Sequence, residues 1–251
     1  MRDGDRGRTD RRPDPRREPS TEHPRPLRSP KLAPLLEAEP SLLDNSVRRD
    51  LRSLTPENAE LVARHLVSAG MLIDEEPARA LAHAQAARST ASRLAVVREA
   101  VGVSAYAAGE WALALSELRA VRRMTGSWEH LPLLADCERA LGRPRKAIDL
   151  AAEALAGPGA KDIDEATAVE LAIVVSGARR DLGEGPAAVV ALQGRLLDAS
   201  DGKPWTVRLW YAYAEALLAA GRVDEARDRF RAVASLDDDG ETDAEERFSS
   251  L

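Results

Sequence analysis

A fold made only of α-helices, stacked as a series of hairpins, is what this 251-residue sequence predicts. Three observations lead there. Aromatic residues make up only 4% of the chain while Ala, Leu, Arg and Glu dominate, a balance that favours helix over strand. From about Ser41 onward Leu, Val and Ala recur at helical spacing, and no stretch alternates as a half-buried strand would. Glycines at 70, 109, 142, 183 and 221 each close an Ala-rich segment, and their intervals of 39, 33, 41 and 38 residues signal stacked repeats.

The elements follow in order. Residues 1–40 hold eight of the 15 prolines and almost no large apolar side chain before Leu27, so they cannot bury enough surface to offset the entropy of ordering. They are expected to form a disordered Arg/Asp/Pro-rich arm. The repeat domain is expected over 41–238, about five helical hairpins, followed by an acidic tail at 239–251. Thr55-Pro56 opens the first hairpin, with Thr55 as the cap. Pro77, Pro144 and Pro186 sit where second helices begin, positions at which an N–H would be unpaired anyway. Segment 165–177 is apolar on nearly every side, as an element sandwiched within a stack must be.

The stretch "LWYAYAEALLAAGRVDEARDRF", residues 209–230, carries the most specific pattern. Its Trp210, Tyr213-Ala214, Leu217, Gly221, Ala226 and Phe230 resemble the tetratricopeptide signature. Aligned by their glycines, the other units share parts of it: Gly109 with Ala114, Gly142 with Ala147, and Gly183 with Ala188. The first unit is the loosest, because MLIDEEP inserts extra residues before Ala80 and Ala84. The resemblance covers roughly 55–238. The segment from Leu72 to Ser127 is also similar to a group of uncharacterised bacterial tetratricopeptide proteins of about this length, which adds no activity. Small residues at helix crossings and Trp210, Tyr213 and Phe230 between hairpins read first as packing.

The resemblance further implies that the first helix of each repeat lines an inner groove. The corresponding positions are Glu57, Glu60 and Arg64; Val96, Glu99, Val103 and Tyr106; Glu129, Asp136 and Arg139; Glu170, Ile173 and Arg180; and Arg208, Tyr211 and Glu215. Such a lining of seven acids and four arginines suits a protein segment of mixed, net basic charge. The alternative is that these residues are only the solvated face of amphipathic helices. Pro132 falls on the same face and leaves the start of the third unit's first helix open. The Lys and Asn that hold a ligand's C-terminal carboxylate in some relatives are missing from these positions.

Nothing in the sequence encodes enzyme chemistry or a cofactor. His23, His65, His83 and His130 are not closely spaced with one another or with Cys137, so no local metal motif is present, and none is expected. Cys137 falls among Leu134, Ala135 and Leu141 and reads as a small core residue. GPGAK at 157–161 lacks the spacing of a phosphate loop, and DLGEGP at 181–186 reads as a turn. The rival functional feature is the arm. Its Arg2, Arg6, Arg8, Arg11, Arg12, Arg16 and Arg17 could contact nucleic-acid phosphates, but interleaved acids and the lack of aromatics argue for a solvated polyampholyte. The lone cysteine, the missing secretory signal and the missing membrane span lead to an expectation of a cytoplasmic, non-enzymatic adaptor or scaffold with a protein or peptide partner, and nucleic acid as the less favoured one.

Overall fold

A computed structural model describes residues 32–194, 197 and 202–251. The described chain is all-helical, with no strand. Its helices are α1 (Asn45–Leu51), α2 (Pro56–Leu72), α3 (Pro77–Ala91), α4 (Ala95–Ala107), α5 (Trp111–Thr125), α6 (Leu131–Ala140), α7 (Pro144–Ala156), α8 (Glu165–Asp181), α9 (Gly185–Leu192), α10 (Thr206–Ala219), α11 (Val223–Ala234) and α12 (Ala244–Ser250). Each packs on its neighbour in the chain, and α6, α8 and α10 also touch in succession, which is the arrangement of an α–α superhelix.

The turns within the hairpins share one design. Gly109, Gly142, Gly183 and Gly221 all take a left-handed backbone, with φ of +74°, +72°, +73° and +77°. Each lets the next residue's N–H reach back to a carbonyl five residues earlier: Glu110 to Ala105, Arg143 to Glu138, Glu184 to Arg179 and Arg222 to Leu217, at 2.8–2.9 Å. This satisfies carbonyls that a helix end leaves open. Several helix starts are fixed by a side chain or by proline. Thr55 Oγ1 accepts from the Asn58 N–H at 3.4 Å, and Asp164 accepts from the Thr167 N–H at 2.8 Å. Pro77 and Pro144 open α3 and α7, and Pro186 lies in the first turn of α9.

Gly70 departs from the expectation. It lies inside α2, which continues to Leu72, and the turn before Pro77 is made without a glycine. The extra residues of the first unit lengthen its helix. The packing register survives, because residues eight, seven, five and four before the reference glycine are buried in four hairpins. They are Val62, Ala63, His65 and Leu66; Val101, Gly102, Ser104 and Ala105; Leu134, Ala135, Cys137 and Glu138; and Tyr213, Ala214, Ala216 and Leu217. Facing them, Ala84, Ala114, Ala147 and Ala226 are fully buried, as is Ala188 in the fourth hairpin. A side chain on Gly102 would meet Leu118 Cδ2 at 2.6 Å, so any larger residue there would have to push the buried Leu118 aside where α4 and α5 cross.

Both expected domain boundaries shift. Residues before 41 already dock: the Leu35 N–H donates to Ser68 Oγ at 3.0 Å, Arg64 donates to the Leu35 carbonyl at 3.2 Å, and Ala38 is buried. The part of the arm at 1–31 lies outside the described residues. The acidic tail at 239–251 is not merely a tail, because α12 packs on α11 with Ala244 buried and Phe248 and Leu251 against the last core cluster. Asp237 makes the connection, accepting from the Glu241 N–H, the Thr242 N–H and the Thr242 hydroxyl at 2.6–2.8 Å.

The packing residues of the last unit form one cluster. Phe230 is fully buried, Tyr213 nearly so, and Tyr211 meets the Phe230 ring edge-on at 5.5 Å. Trp210 packs beside them under the Arg229 guanidinium, 4.6 Å from the ring centre.

Candidate functional site

The first helices of the second to fifth hairpins and the segment before α12 surround a groove of about 560 Å³. Nine of the sixteen expected groove positions line it: Tyr106, Asp136, Arg139, Glu170, Ile173, Arg180, Arg208, Tyr211 and Glu215. The helix spacing explains the convergence, since residues three and four apart share a face and successive first helices stack side by side.

Arg64 and Glu99 do not reach this space. Arg64 lies under the chain at Leu35 and Leu36, and Glu99 accepts from His130 Nε2 at 3.0 Å. Of the other expected positions, Val96 and Val103 pack into core clusters and Glu57, Glu60 and Glu129 are exposed. Helix α6 begins at Leu131 with Pro132 in its first turn, so Glu129 precedes the helix. Sequence reasoning missed Gly177, Ala212 and the trio Glu241, Thr242 and Asp243. A Cβ on Gly177 would sit 2.9 Å from the Arg139 guanidinium carbon, so this glycine lets Arg139 lie across α8. No periodicity pointed to 241–243, because their placement depends on the loop that Asp237 organises.

The arginines of the groove are committed to its own acids. Arg139 donates to Asp181 at 2.6 Å and to Asp136 at 3.2 Å. Arg180 donates to Glu215 at 2.5 Å, Arg247 of α12 pairs with the same carboxylate, and Arg208 pairs with Glu170. The two phenols also serve carboxylates. Tyr106 donates to Asp136 at 2.7 Å and Tyr211 to Asp243 at 2.5 Å; burial first, then these bonds, raise both phenol pKa values well above 10.0. Burial also raises Glu170, with Arg208 acting against it. Around the groove Asp136, Glu170, Asp181, Glu215, Glu241 and Asp243 face only Arg139, Arg180, Arg208 and Arg247, an excess of two negative charges. Among the described residues Glu241 has no ion-pair partner.

Elsewhere, a mostly apolar cleft of about 480 Å³ runs between α7, α8 and α9, edged by the exposed Leu155 and Val190. Cys137 is buried in the core, where burial pushes its thiol up to about 12 and makes it a poor nucleophile. The arm arginines at 2–17 lie outside the described residues. No described helix is long and apolar enough to cross a membrane. No family model matches this chain, and no curated protein matches it.

Proposed function

We propose that this chain is a non-catalytic tetratricopeptide-type adaptor that holds a cationic segment of a partner protein in the groove between its first helices. The carrying observation is the groove's charge arrangement: every guanidinium around it is already bonded to a groove carboxylate, and two carboxylates remain in excess. A lysine or arginine entering there meets acceptors. An acidic ligand would have to break existing pairs. Ile173, Val174 and Ala212 supply apolar contact beneath the charged rim, and preformed pairs keep the walls in place without a ligand. A stack of hairpins that contact only their neighbours is suited to presenting such an elongated surface. A cytoplasmic setting accords with the single cysteine, which is buried and unreactive.

The test is fluorescence anisotropy with matched peptides rich in Lys, rich in Glu, or uncharged, against the intact chain. The Lys-rich peptide is expected to bind, to weaken as salt rises, and to lose at least tenfold in affinity to a Glu170→Lys/Glu241→Lys variant. Removal of residues 1–31 should leave that binding unchanged. Preference for the Glu-rich peptide, or indifference to the double charge reversal, would remove the groove from the reading. Nuclease-sensitive retention that disappears with residues 1–31 would transfer the function to nucleic-acid binding by the arm.

A further inference from the structure

Glu99, Glu129 and His130 come together at the junction of the second and third hairpins, although 30 and 31 residues separate Glu99 from the other two. One ligand atom from each lies within 4.8 Å of the others. Glu99 projects from the middle of α4, while Glu129 and His130 occupy the turn that leads into α6. His130 Nε2 is 3.0 Å from Glu99 Oε1, and the imidazole is largely covered, with 15% of its side chain exposed.

The turn that carries two of these groups is fixed on several sides. Gly126 closes α5 in a left-handed conformation. The Glu129 N–H donates to Ser127 Oγ at 3.2 Å, and the Leu131 N–H donates to the Trp128 carbonyl at 2.9 Å. Arg122 stacks on the Trp128 ring at 3.9 Å, and the indole also sits against Gly159, where a Cβ would come within 2.5 Å of Nε1. Backbone held in this way places side-chain donors before any ligand arrives.

The charge balance here differs from that of the carboxylates that link helices elsewhere in the stack. Glu117, Asp136, Glu138, Glu170, Asp181 and Glu215 each have an arginine partner. Among the described residues neither Glu99 nor Glu129 has a lysine or arginine partner, and the single imidazole faces both. Two carboxylates and one imidazole form a mixed oxygen and nitrogen donor set short of positive charge.

We propose that Glu99, Glu129 and His130 bind one divalent transition metal of the Zn²⁺ class, which clamps α4 to the start of α6. The imidazole selects against Mg²⁺ and Ca²⁺, which take oxygen ligands, and the carboxylates select against soft monovalent ions. Ligand atoms about 3.4 Å apart suit a tetrahedral Zn²⁺ with bonds near 2.1 Å. The His130–Glu99 pair, 3.0 Å apart, is already close to that spacing, and the exposed Glu129 carboxylate lies within 4.8 Å of both. Three protein ligands leave a position for water.

Calorimetric titration of the full, chelator-treated chain with ZnCl₂ at pH 7 tests this, with MgCl₂ and CaCl₂ run in parallel. One equivalent of Zn²⁺ is expected to bind and to raise Tm. The other two salts should do neither. Glu99→Gln and His130→Ala should each weaken Zn²⁺ at least tenfold while the helical circular dichroism stays intact, and His23→Ala, in the arm, should leave it within twofold. Zn²⁺ affinity unchanged in Glu99→Gln and His130→Ala would show an adventitious ion only and overturn the site. So would the lack of any binding by the intact chain at millimolar Zn²⁺.

Discussion

Glu117 shows what one buried carboxylate demands of a helical stack. It is 3% exposed on α5, and it bridges Arg88 of α3 and Arg98 of α4 at 2.9 Å each. Glu138 repeats the device between Arg119 and Arg143, at 2.5 and 2.6 Å. Glu117→Ala leaves the partly exposed Arg88 and Arg98 without their shared acceptor and is expected to cost about 2 kcal/mol in urea unfolding. A second residue-scale consequence comes from His65 and His83, buried between α2 and α3 with their Nδ1 atoms 3.1 Å apart. Burial lowers the pKa of both. His65 falls to about 4, pushed further by His83, and Arg79 adds to the lowering of His83. The unfolded chain therefore binds more protons between about pH 6.5 and pH 4, and stability falls as the pH drops through that window. Urea midpoints at pH 7 and pH 5 should show the loss, and His83→Gln should reduce it. None of these pairings was legible in the sequence, because their partners are joined by helix packing rather than by spacing.

At the scale of the element, the sequence carried more. Four left-handed glycines, the opening prolines and Thr55 marked the ends of helices directly, because terminal chemistry is local. Gly70 misled for a physical reason: a glycine permits a helix to stop but does not force it, and α2 runs on to Leu72. The glycines also separate two kinds of cost. Gly142 has open space around it and φ of +72°, so Gly142→Ala should lose about 1 kcal/mol from backbone strain alone. Gly185 has no left-handed φ, but a methyl there would run into the backbone carbonyl of Ala219, so α9 and α10 would have to separate. Gly185→Ala should cost the more of the two, and paired thermal melts would rank them. The groove rows were readable for the same reason as the helix ends, since they follow from offsets to the glycines. Arg64 and Glu99 left the expected set because distant chain, Leu35 and His130, reached them first.

For the described chain as a whole, the short α12 matters more than its seven residues suggest. It covers the last core cluster, and Arg247 and the preceding Asp243 brace the groove through Glu215 and Tyr211. Truncation after Leu236 should uncover the side of α11 that holds Phe230, lower Tm by at least about 5 °C and promote self-association, measurable by light scattering. Its amphipathic contacts were hidden in the sequence by the surrounding acids, which read as solvated tail. The ladder of nearest-neighbour contacts also bears on how the molecule responds to load. Tension applied to the ends of a single molecule would have no long-range seam to break all at once. It should peel hairpins from one end, releasing about 130 Å of extended chain per step of roughly 35–40 residues, so that an optical trap would record a staircase rather than one rupture.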